Sequence, residues 1–225
     1  MGIRFWRFSA LIMQRFLYLL LRRAGAAGLL WLCLSLAVQA GERSVLVLGD
    51  SISAAYGMSL EQGWVNLLAR RLREAHPGTD VLNASISGET TAGALRRLPA
   101  LLEQHTPALV VIELGGNDGL RGFPLGSLRS NLTRLVEQSQ AAGARVVLLP
   151  MEIPPNYGAR YSRGFRESYQ QVAGETGSAL APFPLAGVAT DPAMMQADGI
   201  HPTAAAQPVL LERVLPTIVA ALEAR

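Results

Sequence analysis

Cysteine is almost missing from this 225-residue chain. The single one, Cys33, lies in an apolar stretch near the start, so residues 41–225 contain none. That excludes disulfides and thiolate chemistry beyond residue 40, where stability must come from a packed core. Histidine is scarce too, limited to His76, His105 and His201. Three dispersed histidines without cysteine argue against a zinc cage and leave only a carboxylate-rich metal site open. Acidic residues are absent from the first forty positions, which hold Arg4, Arg7, Arg15, Arg22 and Arg23. Beyond them the 15 remaining basic residues face all 17 acidic ones, so the formal charge of +3 belongs to the leader. No basic patch remains to argue for nucleic acid as a partner. Regular two-residue hairpin signals, internal repeats, low-complexity tracts and linkers are missing as well, which points to one domain.

The leader has an order of its own. An apolar run over 24–38 follows the arginines, and the small residues Val38 and Ala40 suit the −3 and −1 positions of a signal-peptidase site. The expectation is a signal peptide over 1–40, a mature domain over 41–225, and export. Cys33 follows Trp31 and Leu32 rather than small residues, which argues against lipid attachment. An uncleaved anchor is the alternative, but the apolar patches at 16–21 and 24–38 are both short for a bilayer span.

The mature chain is organised around residues 44–53, where a β-branched apolar run ends in Gly49, Asp50 and Ser51. That pattern reads as a buried parallel strand handing over to a turn and then a helix. Helical spacing follows over 60–75, a short strand over 80–84, and a helix over about 92–105 with a bend expected at Pro99. The clearest strand spans 108–114 and ends in Gly115, Gly116, Asn117, Asp118 and Gly119. A helix over 125–142 leads to a strand over 145–149. A Pro-, Gly- and Tyr-rich wall follows at 151–161, then a helix over 162–174 and a weak strand over 179–183. A long loop carries Asp198 and His201 into a last helix over 203–223. Strands alternating with helices predict a three-layer α/β/α sandwich around a five-stranded parallel sheet.

Each unusual loop follows a strand, and in a parallel sheet those loops share one edge. Ser51 becomes a nucleophile only with a base, an acid and oxyanion donors to serve it. Of the histidines, His76 and His105 terminate helices and are expected to be solvent-exposed. His201 has Asp198 three residues earlier, close enough to accept from Nδ1 and leave Nε2 free for the Ser51 proton. The candidate oxyanion donors are the Ser51 N–H, the Gly88 N–H and the Asn117 side-chain amide. Asp50 and Asp118 are expected to hydrogen-bond local backbone and loops, and Glu113 to find a buried partner such as an arginine.

At these residues the chain resembles the SGNH or GDSL-type serine hydrolases. Gly49-Asp50-Ser51 matches the nucleophile block, and Gly88 stands where the oxyanion glycine is expected. Gly115-Gly116-Asn117-Asp118 and Asp198-Gly199-Ile200-His201 match the other two blocks, in order. Flanking stretches at 83–88, 98–102, 113–122 and 155–158 are closer still to bacterial esterases of the thioesterase I and lysophospholipase type. Essentially all of residues 44–222 is covered. The resemblance implies a flavodoxin-like sheet, no metal or other cofactor, and a periplasmic enzyme cleaving acyl esters and thioesters, arylesters and lysophospholipids among them. No Gly-x-Ser-x-Gly motif is present, so this is not the α/β-hydrolase elbow.

Ile153, Pro154 and Tyr157, with Pro155 and the Met194-Met195 pair, suggest an apolar site for a fatty chain. A carbohydrate O-deacetylase on the same scaffold, and a non-catalytic lipid-binding module, are the competing readings. The partners expected are a small-molecule acyl ester or thioester and transient contact with membrane or lipid. Nucleic acid is not expected, and the chain is read as a monomer.

Overall fold

The computed structural model describes residues 43–224; the leader, its cleavage site and Cys33 lie outside them. The five strands are β1 (Arg43–Gly49), β2 (Thr79–Asn83), β3 (Leu109–Glu113), β4 (Arg145–Leu148) and β5 (Ala179–Leu180). All pair in parallel, in the order β2-β1-β3-β4-β5. That is the flavodoxin-like, doubly wound order. Its physical origin is the distribution of apolar residues. In β1 and β3 consecutive side chains are apolar, and residues 45–48 and 109–112 are all at most 1% exposed. Strands of that kind need cover on both faces, so they take the middle of the sheet. The half-buried β2 and β5 take the edges.

Six helices provide the cover: α1 (Trp64–Ala75), α2 (Thr91–His105), α3 (Gly116–Leu120), α4 (Leu125–Ala141), α5 (Ala159–Thr176) and α6 (Gln207–Glu223). α1 packs against α6 on one face; α2, α4 and α5 pack in a row on the other. In α1 the buried stripe is Trp64, Leu68 and Leu72, a four-residue repeat that keeps one face inward. The backbone N–H of Trp64 donates to Gln207 Oε1 at 3.0 Å, joining the starts of α1 and α6. The order of strand addition reverses at β1, with β2 on one side and β3 to β5 on the other. The β1–β3 register sets Gly49 beside Glu113.

Several boundaries differ from those the periodicity predicts. The helix expected from residue 60 begins at Trp64, because extended Gly63 separates it from a 3₁₀ turn over Leu60–Gln62. α2 runs unbroken through Pro99, its start capped by Thr90, whose Oγ1 accepts from the Gly93 N–H at 3.1 Å. α5 is longer than expected at both ends. β5 keeps only two residues, since Pro182 and Pro184 lack the N–H a ladder needs. The short α3 replaces an expected turn. Its N-cap Gly115 has φ +112°, and a Cβ there would lie 2.2 Å from the Tyr169 hydroxyl. Only glycine fits.

Candidate active site

The turn after β1 is set by its own residues. Asp50 Oδ1 accepts from the Ile52 N–H at 3.1 Å, and the Asp50 carbonyl accepts from Ala54 N–H at 2.9 Å. The turn leaves Ser51 partly accessible beside its buried neighbours. On the far side of the pocket, Asp198 Oδ1 accepts from the N–H groups of Ile200 and His201, at 2.9 and 3.0 Å. That folds the Asp-Gly-Ile-His segment into a tight loop. Asp198 Oδ2 lies 2.6 Å from His201 Nδ1, and His201 Nε2 lies 2.8 Å from Ser51 Oγ. An ionised carboxylate only accepts, so Nδ1 carries the proton and Nε2 is left to accept from Ser51. Hydrogen bonds from the His201 backbone, then its ring, then Ile200 lower the Asp198 pKa to about 2. The carboxylate is therefore anionic at neutral pH.

Asn117 stands at the second residue of α3, on the other side of Ser51. Its Nδ2 donates to Asp50 Oδ2 at 3.1 Å, which leaves the second amide hydrogen available. Among the described residues, the Ser51 and Gly88 N–H groups have no protein acceptor. Gly88 lies on the exposed connection after β2 with φ +79°, and its carbonyl accepts from Arg121 at 3.2 Å. The four sequence blocks thus converge on the carboxyl edge of the sheet.

Beneath the turn is a buried acidic pair. Glu113 Oε2 accepts from Ser53 Oγ at 2.7 Å and from the Asp50 N–H at 3.3 Å, while Trp64 Nε1 donates to Ser53 Oγ at 3.2 Å. Among the described residues no arginine reaches Glu113, contrary to expectation; the turn itself supplies its partners. Burial, then the neighbouring Asp50, push the Glu113 pKa well above the usual carboxylate range. Burial likewise raises Asp50 to about 6. Gly49 is crowded by this arrangement, because a Cβ there would lie 2.8 Å from Ser53 Oγ and 2.9 Å from Glu113 Oε2. Asp118 is not a local binder either. It accepts from the Thr91 hydroxyl at 2.6 Å and the Thr91 N–H at 3.0 Å, tying α3 to the first turn of α2.

A cavity of about 480 Å³ opens beside Ser51 and His201. Ile153, Pro154 and Pro155 line it as expected, with Leu120, Leu185 and Met195. Tyr157 does not; its hydroxyl donates to the Leu120 carbonyl at 2.8 Å, bracing the wall from outside. Of the methionine pair only Met195 reaches the cavity. His76 and His105 do end helices, but both are half-buried, and His76 Nε2 lies 3.7 Å from Glu223. Sequence reasoning missed Tyr56, whose ring lies 4.3 Å from that of His201, centre to centre. It also missed Gln196, whose Nε2 donates to the carbonyls of Tyr56 and Pro202, at 2.8 and 3.0 Å. Neither has a local motif to betray it.

Residues 47–208 match the GDSL-like lipase/acylhydrolase family. This chain belongs to that family. The acylhydrolase is 54% identical over 189 residues to esterase TesA of Pseudomonas aeruginosa, covering 83% of this chain and 94% of that one. It is 44% identical over 169 residues to thioesterase 1/protease 1/lysophospholipase L1 of Escherichia coli K12, covering 75% and 80%. Among solved structures it is similar to the psychrotrophic esterase EstA of Pseudoalteromonas sp., inhibited by monoethylphosphonate. There the TM-score is 0.77 at 47% identity, covering 81% of this chain and all of that one. The flavodoxin-like sheet is therefore that of a serine hydrolase.

Proposed function

We propose that this serine hydrolase cleaves acyl esters and thioesters through Ser51, His201 and Asp198. The observation that carries the reading is the 2.6 and 2.8 Å relay ending at a serine beside an apolar cavity. Ser51 Oγ attacks the acyl carbonyl as its proton passes to His201 Nε2, and Asp198 holds the ring and stabilises the imidazolium. Negative charge developing on the carbonyl oxygen is met by the N–H groups of Ser51 and Gly88 and by the Asn117 amide. His201 then protonates the departing alcohol or thiol. Water, deprotonated by the same imidazole, releases the acyl group from Ser51 as a carboxylic acid. No cofactor is required.

The cavity takes the acyl chain, which suits aryl esters, acyl-CoA thioesters and lysophospholipids. The similarity to proteins named esterase, thioesterase and lysophospholipase supports this range. The arginine-rich, acid-free start and the apolar run behind it support export to the periplasm after cleavage behind Ala40. The test is covalent labelling by a fluorophosphonate, followed by turnover of p-nitrophenyl esters from acetate to palmitate. Labelling of wild type but not Ser51→Ala, with turnover extending to long chains, is expected. Turnover confined to acetate would turn the reading to a deacetylase, and absence of both labelling and turnover would remove the hydrolase mechanism.

A further inference from the structure

Large apolar side chains exposed on this domain are not scattered. Tyr56 and Leu60 follow β1, Ile86 follows β2 and Phe123 lies between β3 and α4. Tyr157 follows β4, Ile200 follows β5, and Val209 is in the first turn of α6. Every one of them is on the carboxyl edge of the sheet, where the candidate active site opens. Single exposed apolar residues are ordinary on a soluble protein, but one from each of five successive connections around one mouth is not a scatter.

Charge is biased within that edge. The connections after β3 and β4 and the start of α5 carry Arg121, Arg160, Arg163 and Arg166, all exposed. Two exposed glutamates stand among them, Glu152, 3.8 Å from Arg166, and Glu167. Asp118 is turned inward onto Thr91. Arg160 and Arg163 border a surface groove with Tyr157, Tyr161, Leu125 and Glu167, next to the wall shared with the acyl cavity. Neither arginine makes an ion pair among the described residues.

We propose that the carboxyl edge of the sheet docks on an anionic phospholipid surface, with Phe123, Tyr157, Arg160 and Arg163 as its leading contacts. Arginine beside exposed aromatic groups is the composition that sits at a headgroup layer: the ring enters, the guanidinium stays with phosphate. A ring of separate apolar contacts around an open mouth fits a deformable surface, where a protein partner would favour one central pocket. Docked this way, the cavity faces the bilayer from which a lipid chain would enter. That consequence rests on the acylhydrolase reading; the docking does not.

The experiment sediments the full chain with vesicles of phosphatidylcholine alone or mixed equally with phosphatidylglycerol. Residues 1–42 are the same on both sides of each comparison, so differences report the domain. Phe123→Ser and the double variant Arg160→Glu/Arg163→Glu are each expected to weaken binding to the anionic vesicles about tenfold or more. Turnover of soluble p-nitrophenyl butyrate should be unchanged in both. An environment-sensitive dye on Phe123→Cys, in a Cys33→Ser background, should shift to the blue with anionic vesicles. The same dye on Glu103→Cys, at the opposite edge, should not. Equal binding to both vesicle types, unchanged binding by the variants, or equal dye shifts at both positions would overturn docking. So would self-association abolished by Phe123→Ser without vesicle binding, which assigns the face to a second copy. Intact docking without ester turnover in wild type would instead overturn the hydrolase reading.

Discussion

Beneath Ser51, Asp50 and Glu113 are buried, and burial raises the pKa of both. Beside it, Asp198 lies in an exposed loop with its pKa lowered to about 2 by the N–H groups and ring that it binds. The same functional group thus does two kinds of work within one site. The buried pair serves geometry: it ends β1, fixes the turn and orients Asn117. The exposed carboxylate serves charge, and stays ionised because water and three donors surround it. The two halves also differ in attachment. Ser51 and Asn117 follow the central strands β1 and β3, whereas Asp198 and His201 hang in the long connection after the two-residue edge strand β5. The rigid half positions; the rim half carries the proton.

The largest expected effect tests the rim. His201→Ala should lower kcat by about 10⁴-fold or more, while His76→Ala and His105→Ala should leave it within about twofold. Parallel ester assays on the three proteins decide it, and a comparable loss at His76 or His105 would move the base elsewhere. The next tests the rigid half. Asn117→Ala removes a donor that strengthens as the oxyanion forms, so kcat should fall about 10²–10³-fold with little change in KM. A lower melting temperature with wild-type kcat would make Asn117 a turn residue only.

Opposite pH signatures sharpen the contrast. Folded Glu113 keeps a proton that the unfolded chain releases above its ordinary pKa of 4.5, so this group favours unfolding increasingly as pH rises. Glu113→Gln should therefore raise the melting temperature near pH 8 and change it little near pH 4. Asp198 runs the other way. Its pKa falls from 3.8 to about 2 on folding, so its contribution is complete above the unfolded value and fades as pH drops toward 2. Asp198→Asn should cost stability at neutral pH, with the deficit narrowing in acid. Melting curves of both variants across pH that showed the same slope would erase the distinction. The smallest effect concerns the clasp between the halves. Gln196→Ala removes two hydrogen bonds, one to the turn after β1 and one within the rim, worth about 1–2 kcal/mol together. It should lower kcat several-fold more than that loss of stability accounts for, measured per folded molecule at 25 °C. Unchanged kcat would show that the rim holds its place without the clasp.

What was legible in the sequence follows from the range of each interaction. β1 and β3 announce themselves because full burial forces continuous apolar runs. Asp198 with His201 is legible because the pair closes over three residues, within one loop. Glu113 was misjudged because its partners, Asp50 and Ser53, are about sixty residues away and no periodicity links them. The Asn117–Asp50 bond, the Gln196 clasp and the outward course of Tyr157 were hidden for the same reason. α3 was hidden differently. Its Gly-Gly-Asn-Asp-Gly start has poor helix propensity, and tertiary contacts such as Asp118 with Thr91 override that preference.

Gly49 carries a consequence for how such a chain changes over generations. Its missing side chain is demanded by Glu113 and Ser53, not by its own φ, which lies outside the left-handed region. Residues 49, 53 and 113 are therefore a single unit of inheritance. An alanine at 49 is excluded while serine and glutamate both stand, because its Cβ would lie 2.7 Å from Ser53 Cβ and 2.9 Å from Glu113 Oε2. It becomes acceptable only when 53 and 113 both shrink. Sister lineages should accordingly keep or change glycine, serine and glutamate together. Gly49→Ala, harmful alone, should be rescued in folding yield by Ser53→Gly with Glu113→Ala and not by Glu113→Ala alone.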